Sequence, residues 1–314
     1  MIITSREGTH EPAPPEQSVA MPQNVRRELW NFFLHLRWHY QLTVGSGAYL
    51  LGGLYQTELD LRSLLVQFAN VHLLLLGGAT AYNSFWDRDE GSIGGLRHPP
   101  PLAGWTRAAS WGVQLIGLLV AFLAGLAFVA VYLLAMVLFW LYSAPWSRWK
   151  GHPHKSLFVI GVGNGLALFL LGYLAAGGRA PRLEILAAGA GVALVLLSLY
   201  PASQVFQLAD DARRGDRTFA RCYGLAGIRR FFVPCYAAGV FLIAATLAPQ
   251  DGWMGAGMLL TAIVASAFIW RVLTRLQGVP SDYASVMRLK YVTSGLFVAF
   301  IAACLLFTHF LPLP

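Results

Sequence analysis

The chain has 314 residues, of which 56% are hydrophobic and 12% charged, and its mean hydropathy is +0.55. A soluble domain carries about 25% charged residues, so this composition excludes an ordinary soluble protein and indicates a polytopic membrane protein. The net charge of +8 is spread over several short segments, which argues against nucleic-acid binding.

Residues 1–27 hold four prolines, three glutamates and three arginines and are expected to form a disordered cytoplasmic tail. No apolar core with a small-residue cleavage site follows an early basic region, so no signal peptide is expected. Residues 28–314 are read as one membrane domain. A helix needs about 20 apolar residues to cross roughly 30 Å of hydrocarbon. Nine stretches qualify: 31–55, 63–85, 106–125, 127–144, 156–177, 184–206, 229–248, 253–274 and 290–311. The predicted fold is all-α and integral to the membrane, with nine transmembrane helices. Spans one to four and five to eight form a pseudo-repeat, and span nine follows. "QTELDLR", "GGRAPR" and "PQDG" mark breaks between spans. The three cysteines, Cys222, Cys235 and Cys304, are odd in number and lack CxxC spacing, which argues against a disulfide framework or a zinc site.

Charge sets the expected orientation. With nine spans, 20 of the 23 Lys and Arg fall on the side that holds the N-terminal tail; only Arg62, Arg179 and Arg182 fall on the other. The positive-inside rule places the crowded side, with the N-terminus, in the cytoplasm. The expected location is the inner cell membrane, with several crossings.

Six of the 15 acidic residues lie in two loops on that side: Asp87, Asp89 and Glu90 after span two, and Asp210, Asp211 and Asp216 after span six. Asn83, Asp87 and Glu90 stand at i, i+4 and i+7; Gln204, Gln207 and Asp211 at i, i+3 and i+7. Each set lies on one helical face. A carboxylate at a helix C-terminus opposes the macrodipole, and moving it toward the bilayer adds about 2.5–3.5 kcal/mol at mid-depth. A divalent cation offsets that cost. Mg²⁺ uses one or two carboxylates and completes its shell with water and substrate phosphate. Arg88, Arg97, Arg213, Arg214 and Arg217 flank the clusters and suit phosphate oxygens. Two matched clusters four spans apart point to a diphosphate site on the cytoplasmic side.

The sequence "NSFWDRDEG" resembles the first aspartate-rich motif of the UbiA superfamily of intramembrane prenyltransferases, normally Asn-Asp-x-x-Asp-x-x-x-Asp. "QLADDARRGDRTFARCYG" resembles the second motif, and "LYSAPWSRWKG" the Tyr-Ser-x-Pro…Lys segment after the fourth helix. Asn83, Asp87 and Asp211 match directly. Ser84, Gly91 and Gln207 stand where the family has aspartates, and Pro100 where it has an arginine. The pattern is that of a divergent branch, with Glu90 placed to stand in for a lost aspartate.

The resemblance implies nine helices around a central cavity, an allylic isoprenyl diphosphate donor, and Mg²⁺ held by Asn83, Asp87, Glu90, Gln207, Asp210 and Asp211. Catalysis would centre on Asn83, Asp87 and Asp211. Lys150, Arg148, Arg97, Arg214, Arg217, Tyr142 and Arg37 are the candidates for binding substrate, Lys150 foremost. The expected reaction is transfer of the prenyl group to a small or lipophilic acceptor within the membrane. Cyclisation of the donor alone is the alternative within the superfamily; a transporter or assembly factor is the alternative outside it. Asn164 and His72, set in apolar sequence, are expected to point inward, and "GVGNG" at 161–165 to mark close helix packing.

Overall fold

The computed structural model describes residues 25–311. The tail expected at 1–27 lies outside the described residues up to position 24; helix α1, Val25–Leu36, begins three residues before the predicted domain boundary. Every regular element among the described residues is a helix, and none is a strand. After α1 come α2 (Trp38–Val44), α3 (Ser46–Gly53), α4 (Leu61–Asp87), α5 (Thr106–Ala124) and α6 (Leu126–Ser143). They are followed by α7 (Pro153–Ala175), α8 (Leu183–Leu199), a 3₁₀ segment (Tyr200–Gln207), α9 (Leu208–Arg213), α10 (Phe219–Leu247), α11 (Gly252–Leu273) and α12 (Tyr283–His309).

Among the described residues eight helical runs are long and apolar enough to cross a membrane. The first predicted span, 31–55, is not one of them. Arg37 takes a left-handed conformation (φ 51°) and separates α1 from α2, and α3 begins after Gly45. Hydropathy does not register a single residue that leaves the helical region. The boundary predicted at Gly125 holds: its φ of 94° is open to glycine and strained for other residues.

Helix packing is tightest where α3 crosses α7. A Cβ on Gly172 would lie 1.8 Å from the Tyr49 carbonyl oxygen, and one on Gly52 2.3 Å from that of Phe169. Small residues let two backbones approach in this way inside lipid. "GVGNG" does the same where α7 meets α8: a Cβ on Gly165 would lie 2.5 Å from Ala193 Cα. His72 bonds the Phe68 carbonyl at 2.8 Å and Ser46 Oγ at 3.4 Å, so it satisfies helix neighbours rather than lining a cavity.

We expect Gly172→Leu to cost about 3 kcal/mol or more, because backbone cannot move aside as a side chain can. A thermal melt of detergent-purified protein should show the midpoint fall by roughly 6 °C or more. Gly112→Ala, with open space around the new Cβ, should leave the midpoint unchanged or slightly higher.

Candidate functional site

Helix α4 ends at Asp87 because Arg88 turns left-handed (φ 49°). That turn breaks the expected stripe. Asn83 and Asp87 stay on the helix and face one polar pocket, and Asp89 swings into the same pocket. Glu90, predicted to join them, does not. It is exposed and lines a separate hollow with His35 and Pro99, since the 3.6-residue period stops at Arg88. Asn83 Nδ2 donates to Ser143 Oγ on α6 at 3.1 Å, which fixes the amide.

The loop after α6 delivers two cations. Arg148 is left-handed (φ 41°) and opens a short turn over Trp149–Gly151 that carries Lys150 inward. Lys150 is buried, and its Nζ forms a close ion pair with Asp87. Arg148 donates two bonds of 2.7 Å to Asp216 and stands 3.8 Å from Asp87. Arg37, Arg88 and Arg148 are the three non-glycine residues with positive φ among those described. Each sits at a break that shapes this site, where backbone strain concentrates in functional centres.

The second cluster arrives on the 3₁₀ segment and α9. Gln204, Gln207 and Asp211 line the pocket, as do Asp216 and Thr218 from the loop that follows. Asp211 accepts from Arg214 at 3.0 Å and from the Thr218 hydroxyl at 3.1 Å. Arg214 also donates to Asp89 at 2.6 Å and reaches Asp216 at 3.4 Å. One guanidinium therefore ties together acids from loops more than 120 residues apart in sequence. Tyr142 and Tyr200 share a hydroxyl–hydroxyl bond of 3.0 Å at the pocket's inner wall.

Other sequence candidates fall outside this pocket. Arg97 and Arg217 are exposed, although the Arg217 backbone N–H donates to the Gly151 carbonyl beside Lys150. Asp210 pairs with Arg213 at the rim, and its carboxylate lies 2.9 Å from where a Gly91 Cβ would be. Asp210 thus brings negative charge across space to the place where the resembling motif carries its last aspartate. Ser84, at another such position, accepts from Arg37 Nη2 at 3.3 Å. Two acids that spacing did not assign, Asp89 and Asp216, belong to the pocket. The only sequence signal for them was membership of the same charged loops.

Charge in the pocket is nearly balanced. Asp87, Asp89, Asp211 and Asp216 face Arg37, Lys150 and Arg214, with Arg148 at the edge. Burial, with the charge of Asp87, raises the Asp89 carboxyl above its usual range, while Arg214 opposes the rise. Burial would raise Asp216 as well. There the two bonds from Arg148 outweigh it and hold the carboxyl below its usual range.

The lining offers carboxylate and amide oxygens, and among its described residues neither imidazole nor thiolate. That donor set suits Mg²⁺ rather than a soft metal. No three acidic, His or Cys residues form a ready cage among the described residues. The residues fit a cation that arrives on a phosphate group and needs only one or two carboxylates from the protein.

Two further cavities continue inward. A vestibule shares Arg37, Asn83, Tyr142 and Tyr200 with the polar pocket, and Asn164 lines it. About a turn deeper, a cavity is lined almost wholly by apolar groups, including Val44, Leu196, Ile269 and Phe297. Helices α2, α8 and α12 with their extensions run past both, through Gln41 then Val44, Tyr200 then Leu196, and Lys290 then Phe297.

Eight helical runs long and apolar enough to cross a membrane thus bring two acid loops together over an apolar cavity. Residues 42–301 match the UbiA prenyltransferase family, and the chain belongs to that family. A UbiA homologue from Archaeoglobus fulgidus bound to GPP and Mg²⁺ is similar in structure, with a TM-score of 0.68, 16% identity, and coverage of 87% of this chain and 99% of that one. The same homologue bound to DMAPP and Mg²⁺ gives 0.66, 16%, 87% and 98%. A structure described for the biosynthesis of digeranylgeranylglyceryl phosphate synthase in membranes gives 0.59, 15%, 88% and 99%. At these identities the likeness shows the fold. No protein of curated function matches the chain in sequence.

Proposed function

We propose that the chain is a Mg²⁺-dependent prenyltransferase that ionises an allylic isoprenyl diphosphate and joins the prenyl group to an acceptor inside the membrane. The observation that carries this reading is the convergence of Asp87 and Asp211, from remote loops, in one pocket with Lys150 and Arg214. Neighbours bound to GPP or DMAPP with Mg²⁺ lend support.

In this reading Asp87 and Asp211, with the amide oxygens of Asn83 and Gln207, would hold Mg²⁺, which would supply Lewis-acid neutralisation of the leaving group, while Asp89 stays paired with Arg214. Lys150, Arg148, Arg214 and Arg37 hold diphosphate oxygens. The allylic C–O bond breaks with its electron pair going to the diphosphate. A new bond then forms between that carbon and the acceptor's nucleophilic atom, which releases a proton. Tyr142 and Tyr200 line both the polar pocket and the vestibule, and an aromatic ring turned toward a nearby cation stabilises it by about 0.5–2 kcal/mol. The prenyl chain extends into the apolar cavity, away from water that would quench the cation.

The same reading sets the topology. The α2–α3 unit counts as the ninth crossing, residues 28–314 form the membrane domain with its two four-span halves and final helix, and the N-terminus and polar pocket face the cytoplasm of an inner-membrane protein. The test is product analysis by mass spectrometry of purified protein with geranyl diphosphate, Mg²⁺ and a lipid extract. A prenylated acceptor together with released diphosphate is expected. A cyclic hydrocarbon from donor alone would make the protein a cyclase, and unchanged donor under every condition would make it a non-catalytic membrane protein.

A further inference from the structure

Arg229 on α10 donates to the Leu273 carbonyl on α11 at 3.5 Å, and the Tyr236 hydroxyl to that of Ala262 at 3.1 Å, so the two helices run antiparallel. An apolar groove follows their seam. Val233, Ala237 and Phe241 line it from α10, and Ile263, Ala267 and Trp270 from α11. Each set steps by three or four residues and forms one stripe of its helix. The small side chains at 237 and 267, between large neighbours, leave the hollow. From Phe232 to Phe241 the lining runs about 14 Å at the helical rise, close to half of a hydrocarbon core roughly 30 Å thick. The groove is therefore about one leaflet deep.

A second observation concerns charge. At one end both stripes continue by a turn into arginines: Arg229 and Arg230 before Val233, and Arg271 after Ala267, with Arg275 just beyond α11. The bond from Arg229 to Leu273 sets the two pairs level. Arg230, Arg271 and Arg275 are exposed, and none of the four forms an ion pair among the described residues. Residues 217–250 and 252–281 contain no Asp or Glu. Asp282, the next acid, is engaged by the backbone N–H groups of Gln277, Gly278 and Val279. These cations repel one another, and an anion among them relieves the repulsion. Trp270, 44% exposed, stands at the same end, and indole rings settle at the level of lipid headgroups.

We propose that the α10–α11 seam is a binding site for an anionic phospholipid of the cytoplasmic leaflet. An acyl chain lies along the groove, and Arg230, Arg271 and Arg275 hold the phosphate at its end. A free phosphate would use the arginines alone, and a neutral lipid the groove alone. A molecule with an anionic head and a chain about one leaflet long uses both. The choice of leaflet rests on the proposed topology; the binding chemistry does not, nor does it depend on the prenyltransferase reading. The groove shares no residue with the polar pocket. It does share Tyr236, Val240 and Ala262 with the inner apolar cavity, so the lipid chain packs against the outer side of that cavity's wall.

The test is native mass spectrometry of the purified, delipidated full chain titrated with dioleoylphosphatidylglycerol or dioleoylphosphatidylcholine, which share their chains and differ in net charge. Wild type should bind the anionic lipid about tenfold or more tightly, the scale of two arginines near a headgroup. Arg230→Gln combined with Arg271→Gln should abolish that preference, and Lys at both positions should keep most of it, which separates lost charge from lost structure. Arg26→Gln with Arg27→Gln, an equal loss of charge from exposed positions on α1, should leave the preference intact. Ala267→Trp, which fills the groove, should weaken binding of the anionic lipid about tenfold with the melting midpoint unchanged. Inorganic phosphate should not displace the lipid. Equal binding of the two lipids by wild type, the same loss in both Arg→Gln pairs, full binding with the groove filled, or displacement by phosphate would each overturn the proposal.

Discussion

Asp87→Asn and Asp211→Asn should each lower Mg²⁺-dependent release of diphosphate from geranyl diphosphate by roughly 10³-fold, because each removes a negative charge from a site that must hold a cation against a leaving group. The fold should survive both changes. An asparagine at 87 still accepts from Lys150, and it no longer opposes the C-terminal end of α4. An asparagine at 211 keeps an oxygen for Arg214 or Thr218. Melting midpoints near wild type together with the activity loss would separate chemistry from folding. Wild-type rates in both variants would remove these two residues from the site.

Lys150→Met should lower the same rate by about 10²- to 10³-fold, the usual effect of deleting one preorganised donor at a centre of developing charge. Lys150 is buried, held on a short turn that a left-handed Arg148 creates, and Asp87 is its partner in the pocket. Once Asp87 engages a cation, that ammonium is free to meet a phosphate oxygen. Lys150→Arg should recover little, since a planar fork on a longer stem does not fit the place of a compact ammonium. A variant at Lys150 that keeps full turnover would limit the residue to balancing Asp87. The measurement is steady-state release of diphosphate, with melting midpoints as the control for the buried acid left behind.

Several of these relations were legible in the sequence. Helix length and hydropathy located eight of the spans, because apolar run length depends on bilayer thickness and little else. The Asn83–Asp87 stripe was also readable, since α4 continues unbroken to Asp87. Glu90 was misplaced for a local reason: one left-handed residue at 88 ended the period on which the spacing argument relied. Gln204 and Gln207 sit on a 3₁₀ turn rather than an α-helix, yet reach the same pocket as Asp211, so that grouping held although its assumed geometry did not. Asp89 and Asp216 were not assigned because their roles depend on which loops meet in space. Arg214 bonding to Asp89 is a tertiary fact. The break at Arg37 was hidden as well, because a helix interruption by a single residue leaves hydropathy unchanged.

If the two acid loops grip one metal–diphosphate unit together, a double-mutant cycle on binding will register it. Affinity for geranyl S-thiolodiphosphate with Mg²⁺ would be measured in wild type, Asp87→Asn, Asp211→Asn and the double variant. Two residues acting on one ligand unit should be strongly non-additive, with the double variant binding no more than about threefold worse than the weaker single one. Losses that multiply independently, or affinity that ignores Mg²⁺ in wild type, would contradict it.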